Sequence, residues 1–340
     1  MAITAPVLER LHALRPDLEI TVTSGLPEAK LRERIRCPFK IVPDRLDFGL
    51  RMRRDLSVDA AATIRDYARL HRRYDEHVSR RAHGLERSGC DLLLANISYL
   101  NIAAADLAGV PAIALSPLNW ADLYRYFTPH TPGCAAVFDR MIDAYSRCDA
   151  YLAPEPCMPM PHIQKVEIIP PVAQTGRNHR ALLDEMFGLD SGTALLLLAL
   201  GGQQEGLTPD TLPMLSDVRW LVEDRWGLRR RDLLSSDATG LSFPDLLASS
   251  DLLVCKPGYG AFAEAACLGK PVVYLRRPDW PEEPHLIDWL RNQVPCREGS
   301  RRDAGQLESC ILELLSAARA DPYPPRGIEV CALRVMSLIR

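Results

Sequence analysis

Several features are scarce or missing in this 340-residue chain, and each absence removes a class of function. No apolar run approaches the roughly 20 residues that a membrane-crossing helix needs, and the residues after Met1 lack the apolar core of a signal peptide. The ten cysteines contain no Cys-x-x-Cys pair, the spacing of zinc ribbons and thioredoxin-like redox centres. Cys90, Cys148, Cys255 and Cys267 sit in apolar stretches and read as buried thiols of a reducing compartment, with disulfides or a zinc site as the lesser alternative. A formal net charge of −3 leaves no global basic field, which argues against nucleic acid as an obligate partner. No Asp-x-Asp triplet is present. The expectation is a cytoplasmic protein with no transmembrane segment, no metal site and no cofactor.

What is present is ample apolar material. At 47% hydrophobic residues, the chain is long for one core and suits two domains of roughly 150 residues each. Its most informative stretch runs from Asp251 to Glu283. Leu252, Leu253, Val254 and Cys255 have the length and composition of a buried parallel strand. Lys256, Pro257, Gly258, Tyr259 and Gly260 break that strand and open a helix of small residues over 261–268, with Glu264 in its second turn. Gly269 stops the helix, Pro271 precedes a second apolar run, and Arg276, Arg277, Asp279, Trp280, Glu282 and Glu283 form a polar loop. Glycines let the backbone approach a ligand closely, and the amides at a helix start, with the positive end of its dipole, attract an anion. A carboxylate one to two turns inside the helix can accept from sugar hydroxyls while the amides hold phosphate. An ordinary strand–helix–strand unit without a ligand has the same outline.

The same residues resemble the donor-nucleotide motif of GT-B glycosyltransferases, close to the peptidoglycan N-acetylglucosaminyltransferase group, in which a basic-x-Gly turn precedes a helix whose Glu binds the ribose. Lys256, Gly258 and Glu264 stand at matching spacing. The stretch is still more similar to the glycosyltransferase-like N-terminal part of L-arabinokinases, with its Lys-x-Gly-Tyr-Gly turn, helical Glu and Arg-Arg followed by Glu-Glu-Pro. Here these are Lys256, Gly258, Tyr259, Gly260, Glu264, Arg276, Arg277, Glu282, Glu283 and Pro284. The resemblance implies an α/β chain of GT-B type, two Rossmann-like doubly wound domains facing a cleft. It also implies that Phe243, ahead of a short helix, passes the nucleotide base.

Taken in order, the chain starts on a helical period over 3–14, followed by strands over 18–22 and 39–42. The similar families carry a strand and a glycine-rich turn before such a helix. None is present here, so the first strand of the N-terminal domain is expected to be missing, through a start codon placed too far downstream or a natural shortening. Residues 58–87 read as one long charged helix with a solvated face. Strands over 92–95 and 112–115 end at Asn96, Ser98, Tyr99 and at Ser116, Asn119, Trp120. Polar groups at strand carboxyl ends are where open α/β sheets take ligands, so Asn96, Tyr99, Asn119 and Trp120 are acceptor-side candidates, although helix capping accounts for Asn119 nearly as well. A strand over 151–153 precedes a run of prolines. The later apolar strand over 194–200 ends in Gly201, Gly202 and Gln203, a second anion-loop candidate. The expected domains are 1–155 on the acceptor side, a proline-rich linker over 156–175, a nucleotide-sugar domain over 176–325, and a helix over 326–340 that returns to the first domain.

Transfer from a nucleoside diphosphate sugar leaves negative charge on a diphosphate and requires a proton acceptor for the incoming hydroxyl. Helix-terminal amides at 258–261, with Lys256 and the Gly201 loop, can meet the first need without metal. For the second the candidates are Asp47 and Asp122. The expected function is metal-independent transfer of a hexosyl-type sugar from a nucleoside diphosphate sugar, a UDP-sugar first among them, to an acceptor the sequence does not identify. The alternatives are a nucleotide-sugar hydrolase or 2-epimerase, and a non-catalytic sugar-nucleotide-binding protein.

Overall fold

The structure is a computed structural model that describes residues 1–44, 48–53, 57–129, 131–201, 208–277 and 279–339. The chain divides into two compact units, Met1–Val172 with Arg326–Arg340 and Ala173–Pro325.

Unit 1 opens with α1 (Thr4–Leu14), which buries Val7, Leu8 and Leu11 at helical spacing. Then come β1 (Thr21–Ser24), the single turn α2 (Glu28–Arg32) and β2 (Lys40–Pro43). The stretch expected as one helix is two, α3 (Ala60–Arg72) and α4 (Tyr74–Ser88), which part at Arg73. Periodicity alone missed the break because the apolar stripe continues across it, with Tyr67 and Leu70 buried before it and Tyr74 and Val78 after it. Next are β3 (Leu93–Ala95), α5 (Tyr99–Leu107), β4 (Ala112–Leu115), α6 (Trp120–Phe127), α7 (Cys134–Ser146), β5 (Ala150–Pro154) and β6 (Val166–Ile169). Strands β3-β4-β5-β6 form one parallel sheet in chain order, and β1 pairs with β2 alone. Among the described residues no ladder joins β1 to β3. Every residue of β4 and β5 is buried, whereas β1 alternates between exposed and half-buried.

Strand β6 falls inside the proline-rich segment read from sequence as a linker. Its prolines, through Pro161 before the strand and at Pro170 and Pro171 after it, flank a β-branched run, Val166, Ile168 and Ile169, and interrupt no ladder.

Unit 2 holds α8 (Arg180–Phe187), β7 (Ala194–Ala199), β8 (Val218–Val222), β9 (Leu233–Ser235), α9 (Phe243–Ser249), β10 (Leu252–Cys255), α10 (Tyr259–Cys267), β11 (Val272–Tyr274), α11 (Glu283–Arg291), β12 (Cys296–Glu298) and α12 (Ala304–Ser316). Its six parallel strands run β12-β11-β10-β7-β8-β9. Both faces are covered. Leu195 and Leu197 pack with Phe262, Leu286 and Leu290 on one side, and Leu196, Leu198 and Leu200 pack with Trp220, Trp226 and Ile311 on the other. Burial on two faces is why β7 and β10 read as unbroken apolar runs. The edge strands β9 and β12, three residues each, carry no period to read and went unseen in the sequence.

The last helix, α13 (Gly327–Met336), belongs with unit 1 and lies on α1, where Arg10 Nε donates to Glu329 Oε2 at 2.6 Å. The Gly327 amide donates to Pro171 O at 3.1 Å, and a Cβ at that position would stand 2.0 Å from Pro170 O. Glycine is therefore required there by space. No helix among the described residues is long and apolar enough to cross a membrane.

Candidate functional site

In unit 2 the strand order reverses at β7 and β10, neighbours from which the chain runs outward in opposite directions. The crevice outside the carboxyl ends of such a pair is the ligand position of open parallel sheets. Both glycine loops singled out in the sequence leave the sheet there, Gly201 after β7 and Lys256 to Gly258 after β10. Gly201 takes a left-handed φ of 60°, which glycine adopts without strain, and a Cβ on it would sit 3.5 Å from Lys256 Cε. The Lys256 side chain thus runs beside the Gly201 turn. Gly202 and Gln203, the other two residues proposed for the first loop, lie outside the described residues.

Gly258 is the N-cap of α10, in extended backbone that any residue can adopt, and no side chain caps the helix. A Cβ there would meet nothing nearer than Lys256 O at 4.0 Å, so no protein neighbour requires glycine at 258. What glycine provides is an uncovered helix start with Gly260 and Ala261 in its first turn. One turn deeper, Glu264 is 1% exposed, and Tyr259 packs at 7%.

The electrostatics around this helix start are unusual. Lys256 is half-buried and makes no hydrogen bond or ion pair among the described residues. Burial pushes its ammonium below the ordinary lysine range, with Arg277 and Arg301 adding in the same direction and Cys255 and Glu282 opposing. Arg277, whose guanidinium carbon lies 3.8 Å from the Trp280 ring centroid, is also lowered by burial, against Glu283 and Glu282. Three cations, Lys256, Arg277 and Arg301, are therefore gathered near two buried carboxylates, Glu282, which acts on Lys256 and Arg277, and Glu283, which acts on Arg277. Burial pushes the Glu282 carboxyl up, while the Trp280 hydrogen bond and the charges of Arg277 and Lys256 pull it down. Trp280 Nε1 donates to Glu282 Oε2 at 3.2 Å.

Glu283, 1% exposed, accepts from Arg276 Nε at 2.7 Å and from the Arg277 amide at 3.0 Å, so both its oxygens hold the loop after β11. Phe243 opens α9 and rests against the core cluster on one face of the sheet. A cavity of about 680 Å³ opens at the opposite, amino edge of this sheet, where Arg180 pairs with Asp184 and Asp251, and Arg319 with Asp251.

At the carboxyl edge of the unit 1 sheet, Asn96 Nδ2 donates to Leu115 O at 2.8 Å and ties the β3 and β4 ends together. Tyr99 is fully buried, with its hydroxyl 3.0 Å from His71 Nε2, and is a core residue of the α3–α5 contact. Trp120 lays its indole against Gly49, where a Cβ would come within 2.4 Å of the ring. Asn119 is fully buried and caps α6: its Oδ1 accepts from the Asp122 amide at 2.8 Å, and its Nδ2 donates to Asp122 Oδ2 at 2.7 Å. Asp47 lies outside the described residues. Sequence reading missed His162, whose Nδ1 lies 2.9 Å from Asp122 Oδ1. Forty residues, with α7 and β5 among them, separate the two in the chain, and no local pattern marks the pair. Among the described residues no group of three or more His, Cys, Asp or Glu could hold a metal ion.

This arrangement defines a class first. The fold, two α/β units with parallel sheets, is the GT-B glycosyltransferase fold, as its likeness to solved structures shows. The glycosyltransferase SnogD from Streptomyces nogalater superimposes with a TM-score of 0.58 at 15% identity, over 100% of this chain and 91% of that one. The spinosyn rhamnosyltransferase SpnG does so with a TM-score of 0.54 at 15% identity, over 99% and 92%. UGT89C1 of Arabidopsis thaliana, solved in complex with UDP, gives a TM-score of 0.54 at 14% identity, over 99% and 92%. In sequence the chain is similar to an L-arabinokinase of Arabidopsis thaliana, 25% identical over 309 residues. That match takes in 86% of this chain and 28% of the arabinokinase, so the chain spans little more than a quarter of that relative's length. No family model matches the chain.

Proposed function

We propose that the chain transfers a sugar from a nucleoside diphosphate sugar to a hydroxyl acceptor, with the diphosphate held at the carboxyl ends of β7 and β10. The observation that carries this reading is Lys256, a half-buried ammonium with no hydrogen bond or ion pair among the described residues, beside an uncapped helix start next to the Gly201 turn. A partly desolvated cation with no direct hydrogen-bonded partner gains when an anion arrives to meet it. Arg277 and Arg301 add charge to the same place, which suits a ligand carrying more than one negative charge. In this reading the negative charge on the departing diphosphate is met by these cations and by the α10 amides, and Glu264 accepts from ribose hydroxyls. UGT89C1, of similar fold, has been solved with UDP, which puts UDP first among the nucleotides to try.

The test is calorimetric titration of the chain with UDP, GDP, dTDP and ADP. Saturable binding of one of them is expected. Lys256→Ala and Glu264→Ala each remove a hydrogen bond to or from a charged group and should weaken that binding by about 1.5–3 kcal/mol. Binding by none of the four removes the reading.

A further inference from the structure

We infer that Arg81 is the centre of an oxyanion site inside unit 1, one that takes a carboxylate or phosphate group between α4, α5 and the end of β2. The Arg81 side chain, in the middle of α4, is 9% exposed. Its Nη1 is spent: it donates to Asn101 Oδ1, in the first turn of α5, and pairs with Asp44 Oδ2, just past β2. Nε and Nη2 are buried and have no acceptor among the described residues. These two N–H groups form the edge of the guanidinium that matches the paired oxygens of a carboxylate or phosphate.

Elsewhere in the molecule that edge is filled. Arg10 gives Nε and Nη2 to the two oxygens of Glu329 at 2.6 and 3.1 Å, Arg15 to those of Asp17 at 2.9 and 2.8 Å, and Arg230 to those of Asp232 at 2.6 and 2.7 Å. Arg81 is more buried than Arg10 or Arg15, yet its carboxylate partner sits on the other corner and leaves the fork unused.

A second buried donor stands beside it. His77 lies one turn earlier on α4, and helical side chains lean toward the helix start, so Arg81 leans toward His77. His77 is buried, and its Nδ1 has no acceptor among the described residues. Burial pushes its imidazole down, with Arg80, Arg73 and Arg81 adding in the same direction and Glu76 opposing. Three arginines thus act here against Glu76 and Asp44, which leaves an excess of positive charge. An oxyanion on the fork accepts from Nε and Nη2 of Arg81, and His77 Nδ1 supplies a third N–H when it carries the ring proton. Buried donors without acceptors cost stability, and an anion offsets that cost for all of them at once. The site lies wholly within unit 1 and stands whether or not unit 2 holds a diphosphate.

A free ion and the acid group of a sugar present the same oxygens to the fork, and the experiment tells them apart. Thermal melting and hydrogen exchange are followed for the intact chain, Arg81→Lys and Lys256→Ala. Each is treated with phosphate, acetate, glucuronate and glucose 6-phosphate, against chloride at matched ionic strength. Melting needs no open entrance to the fork, because the ligand is present as the chain folds. One or more of the oxyanions is expected to raise the thermal midpoint saturably above the chloride control and to slow exchange along α4 and α5. That protection should survive Lys256→Ala, which alters only unit 2. Arg81→Lys keeps a charge opposite Asp44 but loses the fork, and should raise the Kd by about tenfold or more. A larger effect of the sugar acid or sugar phosphate than of acetate or phosphate assigns the group to a sugar, and equal effects assign it to a free ion; both support the site. The inference is overturned if no oxyanion does more than chloride, if protection appears only along α10 or disappears in Lys256→Ala, or if Arg81→Lys binds within about twofold of the intact chain. Should Arg81→Lys fail to fold, the chloride comparison and the place of the protection decide the matter.

Discussion

At the residue scale, buried titratable groups in unit 1 make stability depend on pH in a definite direction. His71 contacts Tyr67, Tyr74 and Tyr99, with Arg140 Nη1 on its backbone carbonyl. Burial, with the charge of Arg140, pushes its imidazole down to about 4. An exposed histidine in the unfolded chain takes its proton near pH 6.5, so between that value and about 4 the unfolded state binds the proton and the folded state does not. The stabilisation is complete above about pH 6.5 and is lost as pH falls toward about 4, by about 3 kcal/mol over the whole window. In His71→Phe this part of the acid sensitivity should vanish. The difference between urea midpoints at pH 7 and pH 5 would shrink relative to the unaltered chain, and an unchanged difference would place the acid sensitivity elsewhere.

At the scale of elements, the start of α10 separates what the fold needs from what a ligand needs. Gly258 occupies extended backbone and meets no close neighbour, so Gly258→Ser adds a good helix N-cap without a clash. Thermal stability should stay the same or rise by a few tenths of a kcal/mol, whereas affinity for the bound diphosphate should fall, because the hydroxymethyl group and its hydrogen bond occupy the helix amides. Paired melting and titration of the one variant check this; equal affinity would show that the anion does not sit on these amides. Gly201 differs, since its φ of 60° strains any side chain whether or not a ligand is present.

At the scale of the whole molecule, the chain leaves unit 1 once and comes back to it as α13. The return depends on Gly327, where a Cβ would stand 2.0 Å from Pro170 O and 2.8 Å from Pro171 O, both backbone atoms that cannot swing aside. Gly327→Ala should therefore cost about 1–3 kcal/mol in unit 1. Hydrogen exchange should report it as lost protection along α1 and α13, with the amides of β7 and β10 in unit 2 unaffected. Uniform loss in both units would mean that they unfold as one.

Much of unit 2 is legible in the amino-acid sequence alone. Burial on both faces of a parallel sheet writes β7 and β10 as unbroken apolar runs, and Lys256, Gly258 and Glu264 stand at fixed offsets along a single turn and helix, so short-range spacing carries that half of the candidate site. Local chemistry also marks α1 and the cap at Asn119. Other features belong to tertiary structure alone. The edge strands β9 and β12 are too short to show a period. The break at Arg73 hides under a continuous apolar stripe, and β6 hides among prolines that flank it without interrupting it. Glu282 and Glu283 are adjacent in sequence, yet one faces Lys256 and Arg277 while the other clamps its own loop, because α11 begins between them. Asp122 and His162 meet only because β4 and β5 are neighbours in one parallel sheet and their carboxyl ends bring the following loops together. Sequence spacing reports what a helix or strand does to its own side chains, whereas the pairing of distant loops is decided by strand order, which no local pattern encodes.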